Sequence, residues 1–200
     1  IGLQEITPQA APILVERFTT NYPYHAFHPV ELVHNVGIFS RFPIDKLIAL
    51  PAPPINRGIQ VTLRLDNGEP LEAIVAHLIP FYPLNKFYRL AQDWYTRRAK
   101  QVSYLSNVVK QYDDPVIIIC DCNFTDTSET YAQMRRVMSD SFHEAGWGFG
   151  HTFTFLGKFF PVGRIDYIWH TEDIKTVETY VGKGGSSDHL PVVAELQLVK

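Results

Sequence analysis

Two polar side chains follow a short apolar run in the second half of the chain. Asp121 and Asn123 lie two positions apart, directly after the apolar residues 116–120. On an extended backbone that spacing points both side chains to the same side. A carboxylate and an amide that project together can bind a hard cation, a phosphate group or an attacking water. An ordinary turn after a buried strand explains the same pattern, so both interpretations stay open on these residues alone.

A second carboxylate occurs inside an apolar and aromatic run. Asp166 lies in the predicted strand 164–170, whose neighbouring residues are mostly apolar or aromatic. Burying a carboxylate there is costly unless the group is paired or has a function. The alternative to a functional role is a structural ion pair with Arg164.

A loop rich in glycine and serine leads an acid and a histidine into the last predicted strand. Residues 184–187 are Gly-Gly-Ser-Ser, and Asp188 and His189 follow them. Histidine titrates nearest to neutral pH, which suits proton transfer or charge stabilisation. A polar loop that caps a strand explains this segment equally well.

Two more polar residues lie at predicted strand ends. Glu5 ends the first strand, and His77 ends an apolar strand at 71–78. Each is weak evidence alone, because a single histidine at a strand end is more often structural than catalytic. Their combination with the preceding segments is what indicates a site.

Hydrophobic periodicity predicts the elements that must position these residues. Residues 59–65 alternate strictly and precede the turn Asp66-Asn67-Gly68, which predicts a hairpin with 71–78. Helices are interspersed rather than alternating with strands, which predicts mixed sheets with helices outside and not a doubly wound parallel sheet. The other predicted strands are 1–6, 116–120, 164–170, 174–181 and 190–199, and 36–40 is a short apolar run that ends at Arg41-Phe42-Pro43. The predicted helices are one from Pro8 (with Ile13, Leu14 and Phe18 on one face), 86–112 and 128–138.

Composition limits the class of protein. The chain has 200 residues, of which 46% are hydrophobic and 20% charged, and this fits one globular domain and excludes a disordered chain. A net charge of −3 argues against sequence-blind binding to nucleic acid, which needs a basic surface. No apolar run reaches the roughly 20 residues of a membrane-spanning helix.

The two cysteines flank Asp121. Because Cys120 and Cys122 alternate with Asp121 along the strand, they are predicted to face away from it as small buried residues. Two cysteines cannot form a disulfide scaffold, and a Cys-x-Cys metal site is not favoured because the chain has no second cysteine pair.

Taken in chain order, the five polar segments resemble the signature of the endonuclease/exonuclease/phosphatase superfamily. The similarity extends to residues 36–44 and to the helix around Arg98 and Gln101. The resemblance implies an α/β fold, a four-layer α/β/β/α sandwich of two mixed, mainly antiparallel sheets with helices on the outer faces. It also implies that 1–200 is a single domain that is incomplete at its N-terminus, because family members carry a further strand, with a site asparagine, before the glutamate strand.

The resemblance also implies a role for each site residue. The metal would be Mg²⁺, with Mn²⁺ as a substitute, at Glu5 and with Asp188 on the metal side. An attacking water would be oriented or deprotonated by the catalytic aspartate, and the histidines would contact the phosphate. The implied catalytic residues are Asp121, Asn123, His189, Asp166 and His77, and the implied substrate-binding residues are Asn123, His77 and Arg164.

The substrate is the least determined property. Aromatic segments at 80–88 and 147–155 fit an apolar, membrane-facing rim for a small or lipid-linked phosphoester, and they fit ordinary loop packing equally well. A nuclease acting on DNA or RNA is the second hypothesis, because the basic clusters at 97–100 and 135–136 are small. A non-catalytic binding member of the fold is the third. No protein partner is implied, and the compartment is not predicted.

Overall fold

A computed structural model of the chain describes residues 1–30, 35–55, 57–80, 88–155 and 160–199. The strands are β1 Gly2–Ile6, β2 Tyr24–Phe27, β3 Asn35–Ser40, β4 Ile44–Ala49, β5 Gly58–Arg64, β6 Pro70–His77, β7 Val116–Asp121, β8 Ser139–Asp140, β9 Phe153–Phe155, β10 Phe160–Gly163, β11 Asp166–His170, β12 Ile174–Val181 and β13 Val192–Leu198. The helices are α1 Ala10–Phe18, α2 Tyr88–Val109, α3 Glu129–Met134 and α4 Ser141–Ala145.

A six-stranded sheet in the order β4-β5-β6-β7-β11-β8 forms the centre of the fold. The predicted hairpin joins β5 and β6, and Gly68 takes the positive φ of 84° that its turn requires. β6 and β7 run parallel, so the chain needs a long crossover between them, and α2 supplies it. The other neighbouring pairs in this sheet are antiparallel.

Two apolar cores stack these elements into the predicted four layers. One core packs α2 and α3 on the six-stranded sheet, with Leu105 and Ile118 among its members. The second packs the opposite face of that sheet on a three-stranded sheet in the order β1-β3-β2, through residues such as Val61. On the far side of the small sheet, the ring of Phe18 in α1 lies 5.2 Å from that of Phe39. The α/β/β/α sandwich is therefore confirmed.

Several predicted elements differ from the structure in detail. The helix after Ser128 is confirmed, with the Ser128 side chain accepting from Tyr131 N, but it ends at Met134 and not at 138. The strand predicted at 164–170 begins at Asp166. The apolar face predicted for α1 is wrong at Ile13, whose side chain is exposed. The predicted beginning of the long helix, at 86–87, lies outside the described residues. None of the described helices is long and apolar enough to cross a membrane.

Candidate active site

The ends of three neighbouring strands bring three of the predicted site residues together. In the six-stranded sheet His77 lies directly opposite Asp121, and Asp121 lies directly opposite Asp166. Residues that face each other across neighbouring strands project from the same face of a sheet. The register of β6, β7 and β11 therefore places an imidazole and two carboxylates in one row.

Asp121 occupies the buried middle of this row. One of its oxygens accepts from the backbone N–H of Asn123 at 3.2 Å, and the other lies 3.4 Å from Nε2 of His77. Burial, followed by the negative charge of Asp166, raises the pKa of Asp121 to about 7, although His189 opposes this. A carboxyl group that is partly protonated at neutral pH can both give and accept a proton there.

His189 joins the row from the loop before β13. Its Nδ1 lies 2.9 Å from Oδ2 of Asp166. Burial alone would lower the pKa of His189, but the hydrogen bond and charge of Asp166, together with the charges of Asp121 and Asp188, raise it to about 9. At neutral pH this imidazole therefore carries a positive charge next to two carboxyl groups.

Glu5 and Asn123 have backbone conformations that residues other than glycine rarely adopt. Their φ angles are 56° and 52°, and they are the non-glycine residues with positive φ among the described residues. Glu5 lies at a register shift in β1, and its Oε1 is 3.9 Å from Nε2 of His77. Such strain persists only where the surrounding structure enforces it, and it concentrates at functional sites. Both residues belong to the predicted site.

Asn123 is also tied to the strand that carries His77. Its Nδ2 donates to the backbone oxygen of Leu78 at 3.1 Å, the residue after His77. The side-chain nitrogen is thus used in positioning, and in the hydrogen bonds among the described residues Oδ1 has no partner, so it can accept from a water or a ligand.

Among the described residues, the group whose ligand atoms could surround a metal ion differs from the predicted metal pair. Asp121, Asp166 and His189 each offer a ligand atom, and these atoms lie within 4.8 Å of one another. Glu5, predicted as the principal ligand, has a side chain that is 59% exposed at the edge of the row. The backbone oxygen of Asp188 accepts hydrogen bonds from N and Oγ1 of Thr154, and the charge of its side chain helps to raise the pKa of His189. The metal pair Glu5 and Asp188 stays a prediction.

Arg164 lies in a buried ionic network and not beside the row. Its guanidinium pairs with the fully buried Asp140 and, at 3.2 Å, with Asp126, and it stacks on the ring of Tyr167. The ion pair suggested between Arg164 and Asp166 is wrong, since Asp166 pairs with His189. The predicted substrate-binding role has no described contact to support it, and the contacts of Arg164 favour a structural role.

The cysteines behave partly as predicted. Cys120 and Cys122 are buried in the core on the helix side of the sheet, away from Asp121, as the alternation implies. The structure also joins them in a disulfide, a bond that their sequence positions did not suggest.

One of the two predicted aromatic segments has exposed aromatic side chains at its start and reaches His189 further along. Trp147 is 95% and Phe149 84% exposed, on a loop whose Gly146 and Gly150 pack against Phe142. The loop continues into Phe153, whose ring centroid is 5.1 Å from that of His189. Residues 81–87, which make up most of the other predicted segment at 80–88, and residues 156–159 lie outside the described residues.

Two threonines support the row and were missed from the sequence. Oγ1 of Thr152 accepts from the backbone N–H groups of Ile165 and Asp166, and its carbonyl accepts from Leu190 N. Thr154 donates from N and Oγ1 to the carbonyl of Asp188. Both are buried, and their alternation with aromatic residues in 151–155 is the signal that could have identified them.

Comparison with known proteins identifies the family of the chain. The profile of the Endonuclease/Exonuclease/phosphatase family matches residues 1–189. No protein of curated function matches the chain.

Solved structures share the fold at low sequence identity. An endonuclease/exonuclease/phosphatase from Bacteroides vulgatus superposes with a TM-score of 0.78 at 15% identity, over 98% of this chain and 84% of that one. The Bacteroides thetaiotaomicron mannosyl-6-phosphatase Bt3783 gives 0.73 at 15% identity, over 98% and 84%. A 3' phosphatase from Neisseria, bound to a product DNA hairpin, gives 0.74 at 16% identity, over 98% and 88%.

Proposed function

Since the chain belongs to the endonuclease/exonuclease/phosphatase family, a family of phosphoester hydrolases, we propose that it hydrolyses a phosphate ester by in-line attack of an activated water. The observation that carries this proposal is the row of Asp121, Asp166 and His189 at the ends of β7 and β11 and in the loop before β13. In it a proton acceptor lies close to an oriented imidazolium, and in-line hydrolysis of a phosphate ester uses groups of both kinds.

Each group in the row has a distinct part in the reaction. Asp121, with its pKa raised to about 7, takes a proton from the attacking water as the new P–O bond forms. His189, held by Asp166 and protonated at neutral pH, stabilises the charge on the phosphate and gives a proton to the departing oxygen as the old P–O bond breaks. His77 and Oδ1 of Asn123 hold phosphate and water in line.

The acids of the row, together with Glu5 at its edge, fit a hydrated hard cation such as Mg²⁺, with Mn²⁺ as a substitute. Like-charge repulsion between Asp121 and Asp166 is already part of the cause of the raised pKa of Asp121, and a cation would relieve it. We favour Glu5 over His189 as a ligand of this ion. A protonated imidazole has no lone pair to offer, whereas the exposed carboxylate of Glu5 leaves room for waters bound to the ion. When bound, the ion would offset negative charge on the phosphate.

The position of the ion has a direct test. Anomalous scattering from crystals soaked in Mn²⁺ is expected to place a peak at Glu5. A peak enclosed by Asp121, Asp166 and His189 would move the assignment to that group, and a peak at Cys120 and Cys122 would contradict both.

We propose a small or lipid-linked phosphoester as the substrate. Residues 145–157 contain no Asp, Glu, Lys or Arg, and the side chains of Trp147 and Phe149 at their start are exposed to solvent. The same segment continues to Phe153, whose ring lies against that of His189. Tryptophan and phenylalanine on an uncharged protrusion suit the boundary between water and lipid.

A nuclease is the second candidate, and the named DNA-bound neighbour from Neisseria is its main support. The basic cluster on α2 is smaller than the sequence suggested, since Arg98 is 4% exposed and Arg97 lies 3.9 Å from Asp93. Activity on nucleic acid would weaken steeply with added salt, whereas activity on a neutral lipid surface would not.

A phosphoester panel at fixed Mg²⁺ tests the function. Bis-p-nitrophenyl phosphate, nucleic acids, inositol phosphates, sphingomyelin and polyprenyl pyrophosphates would be assayed with wild type, Asp121→Ala and His189→Ala. Asp113→Ala, an exposed acid beyond the opposite end of β7, is the matched control and is expected to keep wild-type activity. A wild type as inert as both site variants on every substrate would favour a non-catalytic binding protein.

A further inference from the structure

The backbone that follows His77 is held by side chains from outside its own strand. Asn123 Nδ2 donates to the carbonyl of Leu78, and both backbone polar groups of the next residue, Ile79, have side-chain partners. Its N–H donates to Oε1 of Gln101 at 3.0 Å, and its carbonyl accepts from Nε of Arg98 at 3.2 Å. Two consecutive residues after the histidine are thus fixed by three side chains.

Two of those side chains come from the crossover helix α2. Arg98 and Gln101 are three positions apart, so they share one face of the helix. They are 4% and 5% exposed and lie beside core residues such as Val102. Burying a guanidinium and an amide among apolar side chains is costly unless their hydrogen bonds do something specific. Gln101 also donates from Nε2 to the carbonyl of Pro54 at 3.0 Å.

The guanidinium of Arg98 is buried with only part of its hydrogen-bonding capacity used. Among the described residues, its Nη2 is buried and has no hydrogen-bond partner. Burial lowers the pKa of Arg98, and the charges of Tyr95 and Asp121 oppose this.

We propose that Arg98 and Gln101 are positioning residues, which fix the peptide after His77 and thereby the place of His77 relative to Asp121. This inference rests on the proposed hydrolytic function for its kinetic consequence, but the clamp itself is independent of any activity. α2 is then more than a crossover between parallel strands, because its buried polar pair sets the geometry of the row from the opposite face of the sheet.

The test compares Arg98→Met and Gln101→Met with two controls on the same helix. Arg97→Met removes an exposed arginine one position away, and Val108→Ala weakens the core of α2 far along the helix. Steady-state kinetics on bis-p-nitrophenyl phosphate are expected to show kcat at least about tenfold lower in both Met variants, with KM within about twofold. Arg97→Met and Val108→Ala are expected to keep kcat.

Conservative variants separate positioning from simple destabilisation. Gln101→Glu keeps an acceptor for Ile79 N, and Arg98→Lys keeps the cation, so both are expected to recover much of the lost kcat. A kcat in Val108→Ala as low as in Gln101→Met, at equal melting temperature, would overturn the proposal. The proposal would also be overturned if Arg98→Met and Gln101→Met had the same kcat as Arg97→Met.

Amide hydrogen exchange at Ile79 distinguishes failure of this proposal from failure of the proposed function. The amide is expected to be protected in wild type and to exchange faster in Gln101→Met, but not in Arg97→Met, whether or not the protein is active. An inactive wild type with this exchange pattern would reject the hydrolytic function and keep the clamp. Unchanged exchange in Gln101→Met would reject the clamp itself.

Discussion

β11 carries a histidine–carboxylate pair at each of its ends, and the two pairs are built differently. At its beginning Asp166 binds Nδ1 of His189, and the side chain of this histidine is 29% exposed and lies next to Asp121. At its end His170 is fully buried and meets Glu144 at 3.0 Å.

The two pairs differ in how many ring nitrogens of the histidine already have a protein partner. Both nitrogens of His170 have protein partners, with Nδ1 on the carbonyl of Thr171 and Nε2 shared by Glu144 and Thr176 Oγ1. In the described contacts of His189, Nδ1 is bound and Nε2 is left for a ligand. A histidine–acid pair thus marks an active site only where one nitrogen remains available and a further titratable group faces it.

The largest expected effect separates the two histidines by activity. His189→Ala is expected to lower kcat by about 10²–10⁴-fold, because it removes the group that stabilises and protonates the departing oxygen. His143→Ala, which removes an exposed histidine on α4, is the control and is expected to keep kcat. Initial-rate measurements at saturating substrate check this, and a loss below threefold would remove His189 from the reaction.

His170→Ala is expected to show the opposite pattern. Loss of the fully buried imidazole leaves a cavity and removes a hydrogen-bond partner from Glu144 and Thr176. We expect the free energy of unfolding to fall by about 2–4 kcal/mol. Thermal and denaturant unfolding measure that cost, and kcat per folded molecule is expected to stay near wild type. A kcat loss as large as that of His189→Ala, in protein shown to be folded, would break the distinction.

The fold was largely predictable because its elements are strongly periodic and its motifs follow a known chain order. Strands β5, β6 and β7 and the site residues Asp121, Asp166 and His189 follow from alternation and from the resemblance. What could not be predicted depends on contacts between distant segments.

The partner of Arg164 shows this limit. Asp140 is 24 positions away, and no local pattern distinguishes that acid from Asp166, two positions away. Likewise, only the folded structure brings Thr152 under Asp166 and Arg98 to the peptide after His77. Exposure of Trp147 is also a property of the folded loop, since composition predicts a core position as readily as a surface one.

Asp166→Asn sharpens the comparison through pH. Asp166 is the main partner that raises the pKa of His189, so the amide variant is expected to lower that pKa from about 9 toward its ordinary range. If the protonated imidazole is the active form, the alkaline limb of the kcat profile moves to lower pH. Glu144→Gln is the matched control at the other end of β11 and is expected to leave that limb in place.

The interaction between Asp166 and His189 also makes the stability of the metal-free protein depend on pH. A raised histidine pKa stabilises the folded state fully below about 6.5, and this contribution is lost as the pH rises through about 9. In EDTA the melting temperature of wild type is therefore expected to fall more between pH 6.5 and 9 than that of Asp166→Asn. Parallel curves would show that the pair contributes no such coupling.

The smallest expected effect lies at the other end of β11 and in the other direction of pH. Burial alone would raise the pKa of Glu144, but hydrogen bonds from Thr176 and Ser139 and the charge of His170 hold it below its ordinary value. A depressed acid stabilises the fold above about 4.5, and that contribution disappears as the pH falls through the lower folded value. Because the Glu144 side chain is 32% exposed, solvent screening limits the effect to about 1 kcal/mol or less.

Urea unfolding at pH 6 and pH 3.5 gives the loss in free energy of unfolding on acidification for wild type and for Glu144→Gln. The difference between the two losses measures the contribution of Glu144. Wild type is expected to lose slightly more stability on acidification, and Glu172→Gln, an exposed acid near the end of β11, serves as the control. Equal losses in all three proteins would mean that the pair at His170 is held by its neutral hydrogen bonds alone. The two ends of β11 would then differ in electrostatics as well as in access, with charge coupling confined to the end that faces Asp121.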